Sequence, residues 1–167
     1  MFVADLFEIP LRDNAVDVVY TSHAIEPNGG HEKEILRELY RVAKKYLVLF
    51  EPGYEFASAE GKARMERHGY IKDLPGAAMS LGYTVLESRM LDFATNTLNP
   101  TSVLIIEKNE TPQSTGLIFQ CPVTGTGLEN RGEAYFSPEA YLMYPVIRNI
   151  PCLLGAHAIL GSKYGNF

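Results

Sequence analysis

The sequence predicts an α/β fold in which a partly parallel sheet is followed by a small second module. Two short apolar segments, residues 16–21 and 46–50, have the β-branched and aliphatic composition of strands, and a helical pattern separates them. The polar, proline-containing segment 109–115 has no periodicity and is typical of a linker. We therefore predict an α/β domain over residues 1–110 and a small α+β module over residues 116–167.

The first strand, helix and second strand form the clearest unit. Residues 16–21 read Val-Asp-Val-Val-Tyr-Thr, and this apolar run predicts a strand that is buried on both faces and ends near Ser22. Residues 46–50 predict a second fully buried strand, which is stopped by a proline and a glycine. Between them, apolar side chains recur at the spacing of one helix face: Ile35, Leu36, Leu39 and Val42. This order predicts a βαβ unit.

The later segments predict two helices and two more strands. Residues 58–68 and 74–81 have helical patterns, whereas residues 84–93 and 102–108 alternate in the manner of strands. We expect these two strands to form an antiparallel pair at the edge of the sheet. The module that begins near Gly116 is too small to be stable alone, so we expect it to pack on another part of the protein.

Composition excludes several classes of protein. Of the 167 residues, 46% are hydrophobic and 21% are charged, which is typical of a folded, soluble protein. A net charge of -5 disfavours nucleic acid binding. No segment has the roughly 20 apolar residues that a membrane-spanning helix needs, and the start does not read as a secretory signal. With two cysteines and no disulfide framework, the expected location is the cytoplasm.

A family resemblance adds to this description. Residues 4–20 resemble a signature of class I S-adenosylmethionine-dependent methyltransferases, in which an acidic residue is followed by a proline and by an aspartate that opens the fourth strand. Residues 36–42 and 81–83 also look like that family, so the resemblance covers roughly residues 3–108. It implies a Rossmann-like sheet, S-adenosylmethionine as cofactor and transfer of a methyl group to an acceptor that the sequence does not identify.

The resemblance also implies site residues. In that family the residue at the place of Asp5 accepts a hydrogen bond from the adenine amino group, and the backbone amide at Leu6 meets the ring. Asp5 could equally cap a turn. Ser22 and His23 follow the first strand, where an α/β protein places cofactor and substrate contacts, so His23 is the candidate general base. Alternatively, His23 caps the strand or bonds to a neighbouring loop.

Parts of the family pattern are missing from this chain. The first strand with its glycine-rich turn, the next helix and the acidic end of the second strand are absent. We therefore expect a C-terminal fragment, or a protein that needs a partner, and whether the chain alone is an enzyme stays open. The alternative is a noncatalytic methyltransferase-like adaptor or oligomerisation module. An exposed sheet edge would recruit other chains, so we predict a homo-oligomer or a complex with a partner protein.

The tail has its own resemblance. Cys121 and residues 144–154 are similar to the small zinc-binding activator subunit of methyltransferases and to related knuckle domains. In those domains two pairs of cysteines bind zinc. Here the corresponding places hold Cys121 with Thr124, and Ser137 with Ala140, so three of the four thiolates are missing. We predict a knuckle-like module that binds no metal.

Overall fold

The computed structural model describes residues 1–93, 96–108 and 119–162. The chain divides into two compact units. One is the α/β unit, Val16–Gln113, and the other combines Met1–Ala15 with the described part of Ser114–Phe167. The N-terminal segment therefore clusters with the tail, whereas the sequence placed it in the α/β domain. The predicted linker at residues 109–115 lies outside the described residues.

The α/β unit has a four-stranded mixed sheet in the order β1-β2-β4-β3. Strands β1 and β2 are parallel, while β4 runs antiparallel to both β2 and β3. Strands β1, β2 and β3 thus point the same way and occur in chain order across the sheet, as later strands of a doubly wound sheet do. The elements are β1 (Val16–Ser22), α1 (Glu32–Val42), β2 (Ala43–Pro52), α2 (Ala59–Arg67), α3 (Leu74–Ser80), β3 (Thr84–Met90) and β4 (Thr101–Glu107).

Helix α1 confirms the predicted βαβ unit. Glu32 and Glu34 lie in its first turn, where negative charge favours the positive end of the helix dipole. Lys108 stabilises the other end, because its Nζ donates to the carbonyl oxygens of Tyr40 at 2.9 Å and Ala43 at 3.1 Å. The four apolar residues of the predicted face are all buried: Ile35, Leu36, Leu39 and Val42.

The predicted burial of both strands on two faces is wrong. In β1, Val18 is 49% and Tyr20 72% exposed. In β2, Leu47 and Leu49 are buried, but Tyr46, which precedes them, is exposed. Within the described residues β1 pairs only with β2, so it is an edge strand. An apolar run identifies a strand, but it does not distinguish a central position from an edge.

The other unit is built on short antiparallel strands. Val3 bridges to Cys152 and Leu11 bridges to Phe119, so the N-terminal segment packs against the tail, as a module of this size requires. Its described residues contain no α-helix, and the predicted α+β module is therefore wrong, because its apolar segments are short and many glycine and proline residues lie between them. The strands are β5 (Glu129–Asn130), β6 (Ala134–Ser137), β7 (Leu142–Ile147), β8 (Ile150–Pro151) and β9 (Ile159–Leu160).

Candidate functional site

A cluster of polar side chains lies where β1 and β2 end. Because the two strands are parallel, their carboxyl ends lie at the same edge of the sheet, and antiparallel β4 begins there with Thr101 paired to Pro52. The chain leaves β1 at His23, whose backbone amide donates to the Phe50 carbonyl at 2.9 Å. Glu51, near the end of β2, lies at the same edge. Ligands of open α/β sheets bind at this edge.

His23 forms hydrogen bonds at both ring nitrogens. Nδ1 lies 2.6 Å from Glu26 Oε2, and Nε2 lies 2.8 Å from Thr101 Oγ1. The His23 backbone has a φ of +48°, in the left-handed region that residues other than glycine seldom adopt. A strained backbone of this kind persists only where surrounding contacts hold it, and such residues cluster at functional sites.

Glu26 is held as a carboxylate by several donors. Asn99 Nδ2 lies 3.4 Å from both carboxylate oxygens, and Tyr70 also bonds to the group. Burial acts to raise the pKa of Glu26, but hydrogen bonds from His23, Tyr70 and Asn99 and the charge of His23 outweigh it, so the pKa is lowered. Glu26 is therefore an acceptor only.

The ionisation of Glu26 fixes the tautomer of neutral His23. Since the carboxylate has no proton to give, Nδ1 must carry the hydrogen, and Nε2 is left with its lone pair. Thr101 must then donate its hydroxyl proton to Nε2. The three side chains form one polarised chain of hydrogen bonds that runs from a hydroxyl through a base to a carboxylate.

Glu51 has the opposite environment. Its side chain is fully buried, and Oε1 accepts from the Ala24 amide at 3.1 Å. The hydroxyl of buried Thr21 and the amide of Ile25 also interact with this carboxyl. Burial nevertheless outweighs these contacts and raises the pKa of Glu51. Glu26 and Glu51 thus have pKa values shifted in opposite directions by their different surroundings.

Gly29 anchors the loop that carries Glu26. Its amide donates to the Gly69 carbonyl at 2.9 Å, and the amide of Ile71 donates to the Glu26 carbonyl at 3.0 Å. A Cβ at Gly29 would lie 2.4 Å from the carbonyl oxygen of Tyr70. Only glycine allows this close approach of two backbone segments, and the approach positions both Tyr70 and Glu26.

The predicted site residues fall in different units. Ser22 and His23 belong to the α/β unit, whereas Asp5 and Leu6 belong to the unit that contains the tail. Asp5 Oδ1 accepts from the Phe7 amide at 2.9 Å, so this aspartate caps a turn. Its predicted contact with adenine, like those of Leu6, Ser22 and His23 with the cofactor, remains a prediction.

Several members of the cluster were not found from sequence, among them Glu51, Asn99 and Thr101. Glu51 directly follows the predicted strand 46–50, and a carboxylate at the carboxyl end of a parallel strand is itself a signal. Thr101 lies 78 residues from His23 along the chain. No local pattern connects residues at that separation, so the contact follows only from the position of β4 beside β2.

The knuckle-like positions of the tail have ordinary hydrogen bonds. Cys121 Sγ lies 3.2 Å from the Tyr144 hydroxyl inside the core of this unit. The amide of Ala140 lies 3.4 Å from Ser137 Oγ. Among the residues that the structure describes, no group of three His, Cys, Asp or Glu side chains could hold a metal ion. Within the same residues, no helix is long and apolar enough to cross a membrane.

Comparison with known proteins shows a structural similarity to a methyltransferase. The chain matches no protein-family model and no curated protein. It is similar to the crystal structure of a SAM-dependent methyltransferase from Methanosarcina mazei, with a TM-score of 0.47 and 17% sequence identity. The similarity covers 62% of this chain and 64% of that protein, so the chain spans less than two thirds of that protein's length.

Proposed function

We propose that this chain carries later strands of an S-adenosylmethionine-dependent methyltransferase-type domain, with His23 as its general base. The observation that carries the proposal is the His23–Glu26 pair, 2.6 Å apart at the carboxyl ends of parallel strands. A doubly wound sheet binds its ligands at this edge. The order of sequence segments over residues 3–108 supports the reaction class, and this pair supports the choice of His23 as the base.

Residues of this chain fit only part of the cofactor. The exposed Asp5 carboxylate is an acceptor suited to the adenine amino group. In this proposal Ser22 and His23 would contact the reacting end of the cofactor. The cofactor would supply the methyl group, and catalysis would rest mainly on alignment of the acceptor with it.

His23 removes a proton from the acceptor in this scheme. Its Nε2 carries the lone pair and points to the side of the cluster where Thr101 lies. The Glu26 carboxylate stabilises the imidazolium that forms and keeps the ring in the productive orientation. General base catalysis of this kind contributes about 10²- to 10⁴-fold in rate.

Calorimetric titration with S-adenosylhomocysteine tests the proposal. We expect saturable binding by the purified 167-residue chain and at least roughly tenfold weaker binding by Asp5→Ala, since a lost charge-assisted hydrogen bond costs about 1.5 to 3 kcal/mol. Asp13→Ala is the matched control, because Asp13 is an exposed aspartate of the same segment. An absence of binding, or equal affinities of the two variants, would contradict the proposal.

The exposed edge of β1 favours a second candidate, a noncatalytic oligomerisation or adaptor module. Val18 and Tyr20 are both exposed on this strand, and unpaired strand edges recruit other chains. In this case light scattering should give the mass of a dimer or larger assembly, and Val18→Lys should shift the mass to that of a monomer. A monomeric mass of the unmodified chain would rule this candidate out.

A further inference from the structure

The hydrogen-bond chain in the α/β unit ends at a hydroxyl group. Thr101 Oγ1, His23 Nε2, His23 Nδ1 and Glu26 Oε2 are connected by contacts of 2.8 and 2.6 Å. A nucleophile within hydrogen-bond reach of a base, with that base oriented by a third group, is the signature of covalent catalysis. Threonine is one of the side chains that acts as the nucleophile in such sites.

We propose that Thr101 is a nucleophile activated by His23 and Glu26, and that the α/β unit accepts acyl groups from activated esters. This activity goes beyond methyl transfer and needs no cofactor. The three residues of this activity all belong to the α/β unit and are connected by hydrogen bonds.

Exposure along the chain of hydrogen bonds suits this role. Thr101 is half-buried, and the His23 side chain is 37% exposed, so a small ester can approach the hydroxyl end. The Glu26 side chain is only 16% exposed and is also held by Asn99. The reacting end therefore meets solvent, while the orienting end is shielded and fixed by further hydrogen bonds.

The strain at His23 supports the same interpretation. His23 has a φ of +48° directly after β1, and its amide bond to Phe50 fixes the backbone there. This conformation directs the ring between Glu26 and Thr101 rather than continuing the strand. Glu51 lies nearby without competing for the ring proton, because its burial favours the neutral carboxyl.

The chemical steps balance as follows. The Thr101 oxygen attacks the acyl carbon while its proton passes to His23 Nε2, and Glu26 stabilises the resulting imidazolium. The bond from the acyl carbon to the leaving oxygen then breaks, and the leaving group takes the proton from Nε2. The product is an ester of Thr101. Water releases the acyl group by the same two proton transfers, which restores the hydroxyl.

Reaction of the full chain with p-nitrophenyl acetate tests this proposal. We expect release of nitrophenol, and an acetyl group on Thr101 found by peptide mass spectrometry. Thr101→Val should abolish this label, and Thr101→Ser should restore it. His23→Gln and Glu26→Gln should each slow acetylation by about 10²- to 10⁴-fold. Thr124→Val is the matched control, because the Thr124 hydroxyl bonds to Thr126 and not to a histidine. In this variant Thr101 should be acetylated as in the unmodified chain.

Several results would overturn the proposal. They are the absence of acetyl on Thr101 in the unmodified chain, equal labelling of Thr101 in His23→Gln, and acetylation of His23 that continues unchanged in Thr101→Val. Circular dichroism of each variant separates loss of chemistry from loss of fold. Thr101→Val keeps the shape of the side chain without the hydroxyl, and Thr101→Ser keeps the hydroxyl. The assay contains no S-adenosylmethionine, so its outcome is independent of the titration with S-adenosylhomocysteine.

Discussion

Two strained backbone sites, one in each unit of the molecule, have different surroundings. In the unit that contains the tail, Arg148 and Asn149 have φ values of +50° and +63° between β7 and β8. A two-residue hairpin of type I′ requires positive φ at both positions, so the fold itself explains this strain. In the α/β unit, His23 has a φ of +48° with no hairpin to close. Its ring contacts explain the conformation instead.

Buried polar groups also differ between the two units. In the tail unit, the buried pair Cys121 and Tyr144 bond to each other within an apolar core. In the α/β unit, the fully buried carboxyl of Glu51 lies at the ends of β1 and β2, and burial raises its pKa. A buried ionisable group is costly to keep in a core, and groups with perturbed pKa values cluster at functional sites. The comparison points to the ends of β1 and β2 as the functional region.

The largest expected effect follows from breaking the loop that carries Glu26. Gly29→Val should destabilise the protein by about 3 kcal/mol or more, because its side chain would collide with the backbone at Tyr70. Urea unfolding measures this change. Gly30→Ala is the control: a Cβ there meets open space, and the positive φ of +93° should make the substitution cost only about 1 to 2 kcal/mol. Equal losses for the two variants would contradict this close approach.

Removing the buried acid should change stability with a defined pH dependence. The folded-state pKa of Glu51 lies above its ordinary value, so the folded protein holds a proton that the unfolded chain has lost. Stability therefore falls as pH rises from the ordinary pKa through the raised one. At pH values above this window Glu51→Gln should raise Tm, and at pH values below it the substitution should have little effect on Tm. A gain in Tm that is the same at acidic and alkaline pH would contradict the assignment.

Glu26 should show the opposite dependence. Because its folded-state pKa is lowered, its contribution is present above the ordinary pKa and is lost as pH falls through the lowered value. Glu26→Gln should therefore lower Tm at neutral pH and not at strongly acidic pH. Thermal unfolding followed by circular dichroism in the two buffers measures this difference. If Glu26→Gln leaves Tm unchanged at neutral pH, the result would contradict a stabilising, ionised Glu26.

A smaller effect is expected from the buried pair of the tail unit. Tyr144→Phe removes the hydroxyl that bonds to Cys121, which should cost about 1 kcal/mol. It should leave binding of S-adenosylhomocysteine and acetylation of Thr101 unchanged. A loss of acetylation in a variant that remains folded would show that function is not confined to the region at the ends of β1 and β2.

The smallest expected effect is a gain in stability. Arg148→Asn combined with Asn149→Gly gives the hairpin the residues that a type I′ turn prefers, and should stabilise the protein by about 0.5 to 1 kcal/mol. The chemistry of the α/β unit should not change. If the double variant is less stable than the unmodified chain, the strain at this turn has another cause than the hairpin.

Local patterns predicted the elements of the α/β unit, but not how the units are assembled. The spacing of Ile35, Leu36 and Leu39 predicted α1, because a helix repeats within a few residues. The pairing of Val3 with Cys152 joins the two ends of the chain, and no local signal encodes it. For the same reason the sequence identified His23 as a candidate while Thr101, brought to it by β4, was missed.

The most direct test of the central claim is the tautomer of His23, measured by long-range proton and nitrogen NMR on the labelled full chain. If Glu26 is the acceptor and Thr101 the donor, neutral His23 should carry its proton on Nδ1 and leave Nε2 unprotonated. Glu26→Gln should weaken that preference, and Thr101→Val should leave the proton on Nδ1. A proton on Nε2 in the unmodified chain would contradict the base, its orientation by Glu26 and the proposed activation of Thr101 together.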